Sequence, residues 1–391
     1  MAVLVPALVL FSFSACGGGG SSGTGAATNA LPSAGGGATM ALRSALADTD
    51  IHAADPVVSD PVSVLKALDS QQTIGSTVDA KNGDQNPYGL DIARSTSGKF
   101  KTGDLVICNF NDKANVQGKG TTMEILHPTV GSTPTRLAQH PSLLGCAAIA
   151  LGPSDDPWVA SYSANENPIF SSSGQFITGL TQWPWWGPWG QAFATKGATG
   201  GPAFYESNAT DGTIVRINIS SSGNFSFDTI ADGFGINHGQ PGSILAPSGL
   251  QYDSKLDRLY IVDGMTNTVV AFNHAATIPT GGIHIGTDGK TFSGPFAKRG
   301  KVIFAGAPLN GPISSALLPN GNIVVGNTLD ATGKNVMVEL SSSGGHVLAT
   351  RNVDKGVGAA IFGMVASGTN DANTKIYFND DNDNTLRVLV H

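Results

Sequence analysis

The sequence predicts an all-β fold: a six-bladed β-propeller of four-stranded blades. Three observations carry this. A unit of apolar strand, turn, apolar strand, tight turn, apolar strand recurs six times, about every 55 residues, which is the length of a propeller blade. The chain holds 51 Gly and 21 Pro, the residues that punctuate turns. Only 13% of its 391 residues are Asp, Glu, Lys or Arg, against about 25% in an average domain, so the composition is poor in helix formers. The net charge of −7 and the lack of any Lys/Arg run argue against nucleic acid as a partner, because phosphate recognition needs a basic patch. A pair of β-sandwiches is the rival architecture, and it leaves the six-fold count unexplained.

Residues 2–13 form an apolar stretch too short to span a bilayer, which takes about 20 residues. The stretch suits the apolar core of a secretory signal. Ser14 and Ala15 follow, then Cys16 and four glycines. Small residues before a Cys, directly after an apolar run, resemble the lipobox of bacterial lipoproteins. The resemblance implies cleavage after residue 15 and a lipid on the Cys16 thiol, which would anchor the protein in a membrane. Gly17 stands where Asp would signal retention, so the resemblance implies the outer membrane of a bacterial envelope. The propeller would then lie in the periplasm or at the surface. Residues 16–72 read as a Gly/Ser/Ala-rich disordered tether, with a short helix expected at 62–68. Residues 18–23 match a dinucleotide fingerprint in glycine spacing but lack its strand-then-helix setting.

The propeller is expected over residues 73–391. Its clearest unit runs from Pro247, Gly249 and Leu250 through strands at 258–263 and 268–272. The same order starts at Pro87 (strands 104–108, 122–126), Pro188 (203–205, 213–217), Pro312 (322–325, 336–340) and Ile361 (375–378, 385–389). The faintest copy starts at Leu144 (157–160, 168–170). Gly89, Gly145, Gly190, Gly249, Ser314 and Gly363 align the innermost strands. Fourth strands are expected at 175–177, 225–227 and 346–349. The last unit stops at His391 without one. The strand-like residues 73–78 precede the first unit without a blade of their own. They are expected to supply the outer strand of the last blade, closing the ring and removing its free edges.

The Pro-x-Gly-Leu starts at Pro87 and Pro247, the strand ending at Asp263, and the Asp-to-Asn turns (Asp263 with Asn267, Asp380 with Asn384, more faintly Ser163 with Asn167) resemble the NHL-type six-bladed propellers. More loosely they resemble the gluconolactonase-like ones. The resemblance spans residues 73–391. It implies four strands running outward from a channel. The loop leading into each blade and the loop between its second and third strands then share one face, here called the upper face.

Two sets of residues are expected to converge there. Trp183, Trp185, Trp186 and Trp189 fall within seven positions, and Tyr88 holds the equivalent place in the first unit. They are expected to form a stacking platform for a sugar, a peptide or another planar ligand, with burial between blades as the alternative. The second set is acidic. Residues 380–384 start like a calcium loop, but Thr385 and His391 stand where an EF-hand needs Gly and Glu. Glu206, Asn208, Asp263, Asn327 and Asp380 are the acid and amide residues that a gluconolactonase-like calcium set would draw on. No cofactor is expected otherwise. Cys108 and Cys146 are expected near the upper face of neighbouring blades, as a disulfide that export permits or as two buried thiols. The function expected is non-catalytic: an exported, lipid-anchored propeller that binds a small molecule or protein partner at its channel mouth. The alternatives are a calcium-dependent envelope lactonase or hydrolase, and a structural or assembly component of the envelope.

Overall fold

The computed structural model describes residues 63–181 and 184–391. The signal, Cys16, most of the tether and Trp183 lie outside the described residues. Among the described residues one short helix, α1 (Val64–Ala67), precedes 26 strands, which form six sheets. The first strand, β1 (Ser70–Ser76), is set aside by the chain until the end. Blade one is β2 (Gln85–Ile92), β3 (Leu105–Asn111), β4 (Thr122–Leu126) and β5 (Thr135–Gln139). Blade two is β6 (Cys146–Leu151), β7 (Pro157–Ser161), β8 (Asn167–Phe170) and β9 (Phe176–Leu180). Blade three starts with β10 (Pro188–Ala194), β11 (Ala203–Asn208), β12 (Thr213–Ile219) and β13 (Phe225–Asp232). Blade four is β14 (Pro247–Asp253), β15 (Arg258–Asp263), β16 (Thr268–Asn273) and, after an insertion carrying β17 (Ile283–Ile285) and β18 (Phe292–Ser293), β19 (Gly300–Ala305). Blade five is β20 (Ser314–Leu317), β21 (Ile323–Asn327), β22 (Asn335–Leu340) and β23 (Val347–Asp354). Blade six is β24 (Ile361–Ser367), β25 (Lys375–Asp380) and β26 (Thr385–Val390), completed by β1, which pairs antiparallel with β26. The innermost strands β2, β6, β10, β14, β20 and β24 contact one another in that order, and β24 meets β2. The expected six-bladed propeller is the observed fold.

Four details differ from expectation. The folded body begins before residue 73, because Val64, Leu65 and Leu68 are buried against blades five and six. The Glu339 carboxylate of β22 accepts the Ser63 hydroxyl (2.5 Å) and the Val64 (3.2 Å) and Leu65 (2.8 Å) amides, so it caps the helix from the blade. Blade three has six strands rather than four. The insertion in blade four crosses back, lays β17 parallel to β13, and adds β18 outside it. Ile283 and Ile285 bury their side chains in the core shared by blades three and four. In blade two the residue that faces the channel is Ala148, three positions after Gly145. The third Asp-to-Asn turn is shifted as well: the left-handed residue is Asn165, and Asn167 lies on β8.

Glycine at the anchor positions has a steric cause. Five innermost strands carry a register shift there, between residues 87 and 90, 146 and 148, 188 and 190, 247 and 250, and 361 and 364. The bulge presses each strand against the backbone of the next blade. A Cβ on Gly190 would sit 1.8 Å from the Ser248 carbonyl oxygen, and one on Gly363 would sit 2.3 Å from that of Tyr88. Gly190→Ala is therefore expected to destabilise by about 1–3 kcal/mol through overpacking. Urea unfolding of the variant beside wild type would measure it.

The upper turns also join blades. Asn165, Asn267 and Asn384 are left-handed (φ 54°, 54° and 56°). Their Oδ1 atoms accept the amides of Gly187 (2.8 Å), Gly311 (2.7 Å) and Asn86 (2.6 Å), each in the chain leading into the following blade. Asn384→Ala leaves the amide of buried Asn86 without its partner. The expected loss is about 1–3 kcal/mol, read from the unfolding midpoint. Cys108 on β3 and Cys146 on β6 bring their sulfurs to 2.00 Å, a covalent link between blades one and two.

Candidate functional site

The channel narrows where the six innermost strands come closest. Its waist is a cavity of about 70 Å³ lined by Gly89, Ala148, Gly190, Gly249, Ser314 and Gly363. One large residue beside each of three anchors closes the upper end. The Tyr88 ring stacks between Phe362 (3.7 Å between centroids, 8°) and Phe110 (4.2 Å, 4°). Trp189 meets Tyr88 and Phe110 edge-on, at 6.0 and 5.8 Å. These rings form one apolar cluster with Ile244 and Ile313. Burial pushes the Tyr88 hydroxyl well above the usual phenol range, and the nearby Asp381 carboxylate adds to this.

The expected upper-face platform is therefore not assembled. Tyr88 and Trp189 are 2% and 4% exposed because they plug the channel. Trp185 is 3% exposed, between blades two and three, edge-on to Phe227 at 5.7 Å. Trp186 alone of the described set presents its ring to solvent, at 54%. Pro184 and Pro188 turn the backbone so that neighbouring rings leave in different directions.

The acid and amide set does not form one calcium centre either. Asn208, Asp263, Asn327 and Asp380 end the second strands of four different blades, and local bonds consume their oxygens. Asn208 Oδ1 accepts the Trp186 amide, and Asn327 Oδ1 accepts that of Asn310. Asp263 accepts the Met265 amide and the Thr266 hydroxyl within its own turn. Arg387 already serves as the cation among the acids of blade six, 3.0 Å from Asp380 and 2.5 Å from Asp383. Burial pushes Asp380 up to about 7 against the pull of Arg387, and burial with Asp380 nearby pushes Asp381 up to about 8. Glu206 stands apart, between blades two and three.

The lower end of the channel is open. A cavity of about 150 Å³ is rimmed by Asp91, Arg94, Gln191 and Gln251, over an apolar floor of Leu90, Ile149 and Met364. Asp91 is held rigidly: Oδ2 accepts the Leu151 amide and Oδ1 its neighbour Ile92, both at 2.7 Å. Arg94 donates through Nη1 to the Leu151 (2.9 Å) and Gly152 (3.1 Å) carbonyls and lies 5.3 Å from the Phe193 ring centre. Its Nη2 stands 3.8 Å from Asp91, and the side chain stays 49% exposed. Burial raises the Asp91 carboxyl, and Arg94 with two backbone amides offsets only part of that. Gln251 is fixed by donating to the Ser315 carbonyl at 2.8 Å.

Tyr252 borders this mouth and also a groove of about 370 Å³ between the first hairpins of blades four and five. Leu256, Leu317 and Pro319 line the groove beside Lys255 and Asn320. The lower face thus carries a polar cup joined to a longer trough. Sequence reasoning missed Asp91 and Arg94, although Asp91 directly follows the first Pro-x-Gly-Leu start, on the strand that must line the channel, and Arg94 stands two residues past its end.

No family model and no curated relative matches the chain. Solved structures do. Virginiamycin B lyase from Staphylococcus aureus is 16% identical, covers 82% of this chain and 99% of its own, and superposes with a TM-score of 0.49. A structure described as a gluconolactonase-family protein is 11% identical over 82% of this chain and 97% of its own, with a TM-score of 0.48. The nidogen/laminin complex contains a chain 14% identical, covering 73% of this one and 87% of its own, with a TM-score of 0.50. The likeness is one of fold.

Proposed function

We propose that this protein is a non-catalytic binding propeller whose ligand is small, neutral and rich in hydroxyls, of the size of one sugar ring, and enters the lower channel mouth. The observation that carries this is the fixed polar rim of Asp91, Arg94 and Gln251 over an apolar floor. Carboxylate, guanidinium and amide offer donors and acceptors side by side, which suits vicinal hydroxyls. The floor suits the C–H face of a ring. Asp91 and Arg94 offset one another's charge, so the cup favours a neutral ligand over an acidic one.

Calorimetric titration with neutral hexoses, disaccharides and glucuronate tests the reading. Saturable binding of a neutral sugar is expected, weakened at least about tenfold (~1.4 kcal/mol) in Arg94→Ala and unchanged in Trp186→Ala. Tighter binding of glucuronate, or loss in Trp186→Ala alone, would move the site elsewhere.

The anchor belongs to the same proposal. Ser70 pairs with Val390, at the lower end of β26, so the chain enters blade six from the lower side. Labelling of wild-type and Cys16→Ala cells with a palmitate analogue tests the lipid.

A further inference from the structure

Glu206 lies mid-way along β11 with its side chain fully buried between blades two and three. Two amides reach it. Asn167 Nδ2, from β8, donates a very short bond to Glu206 Oε2, and Gln191 Nε2, from β10, donates to the same oxygen at 3.2 Å. That arrangement fixes both amides: their nitrogens face the carboxylate, so their oxygens cannot be supplied by it. Three acceptors remain without a donor, namely Glu206 Oε1, Asn167 Oδ1 and Gln191 Oε1. Asn167 is fully buried and Gln191 is 7% exposed. The surroundings are Trp158, Ile169 and Phe204, an apolar cluster. An acceptor stranded in such a place costs about 1–3 kcal/mol, and an unpaired carboxylate costs more.

We infer that Glu206, Asn167 and Gln191 hold one alkali-metal cation, sodium or potassium, between blades two and three. One carboxylate and two amide carbonyls are hard oxygen ligands, the kind that hard cations take. Charge selects the valence. The site supplies one negative charge, which a monovalent ion cancels. A divalent ion would leave a net positive charge buried among aromatic rings. A proton on Oε1 supplies one donor and satisfies one amide oxygen, whereas a cation contacts all three acceptors. Gln191 also lines the channel, which places its backbone between the three oxygens and solvent. This site is separate from the sugar cup in its ligands, apart from the shared Gln191.

The test is the melting temperature of the full chain in sodium, potassium and tetramethylammonium chloride at equal ionic strength. Wild type should melt several degrees higher in sodium or potassium than in tetramethylammonium, with a saturable dose response. Glu206→Gln should lose that difference while melting no lower than wild type in tetramethylammonium. Gln191→Met, at the channel wall, should shift the dose response to higher salt. Crystals grown in thallium acetate should give an anomalous peak among the three oxygens. Equal melting in all three salts with no thallium peak overturns the inference. So does an undiminished salt response in Glu206→Gln, or a larger response to millimolar calcium than to sodium. Sugar titrations in tetramethylammonium keep this result distinct from the fate of the ligand reading.

Discussion

Replacing Asp79 with Ala is expected to remove about 3–5 kcal/mol of stability, the usual cost of stripping one partner from a buried ion pair. Asp79 lies on the segment that leaves β1 and crosses to β2, so it sits where the ring is joined. Its side chain is 1% exposed, and that of Arg136 on β5 is 15% exposed. The pair is bidentate: Arg136 Nε donates to Oδ2 and Nη2 to Oδ1, both at 2.5 Å. Oδ1 also accepts the amides of Lys81 (2.6 Å) and Asn82 (2.8 Å), which shapes the turn itself. Burial alone would raise this carboxyl. The bonds from Arg136, from Glu124 and from those amides outweigh burial and hold it well below the usual carboxylate range. Asp79→Asn keeps the Oδ1 acceptor for the turn and loses the charge, so it should cost less than Asp79→Ala. Equilibrium urea unfolding at neutral pH decides. A loss below about 1 kcal/mol in Asp79→Ala would place ring closure in the strand pairing instead.

The second large effect is a dependence on pH set by Glu124, the neighbour of that pair. Burial, then the hydrogen bond and charge of Asp79, push its carboxyl up to about 9 from an ordinary 4.5. The sign follows from linkage. Between those values the folded chain holds a proton that the unfolded chain has released, so stability falls as pH rises through the window. The contribution is complete below about 4.5 and gone above about 9. Asp79 itself titrates far below this range and does not offset it. Glu124→Gln keeps the shape and a donor but cannot ionise. It should match wild type near pH 5 and melt progressively higher than wild type towards pH 9. A gap between the two that stays constant with pH would show that Glu124 ionises normally in the fold.

The architecture was readable because its cause is repeated. Each blade needs a small residue where its innermost strand passes closest to the next, and a turn former above it. Those needs left Gly89, Gly190, Gly249 and Gly363 at matching places. Blade two was misaligned by three positions because Ala148 meets the same steric demand without being glycine. The extra strands of blade three left no trace, since β17 and β18 have three and two residues and no periodicity to count. The aromatic cluster misled for a physical reason. Trp is both a good ligand platform and a good plug, and composition does not show which side of a ring meets water. Asp91 and Arg94 were hidden differently. Each is an ordinary charged residue, and only the course of the chain at and just past the end of β2 brings them to the channel rim.

The seam in blade six has a consequence for how the molecule comes into being. Ser70 pairs with Val390, so the two partners are 320 residues apart (390 minus 70). Bringing together ends so distant costs about 3 kcal/mol more in chain entropy than closing a ten-residue loop. A ribosome delivers β1 among the first folded residues and β26 among the last. During all the intervening synthesis β1 lacks its strand partner and holds only side-on contacts with blade one, through Ile74. The emerging chain can stack blades one to five in order, but the circle has no partial version. Loss of the final few residues would therefore undo more than one edge: it would strand the first strand as well as the last.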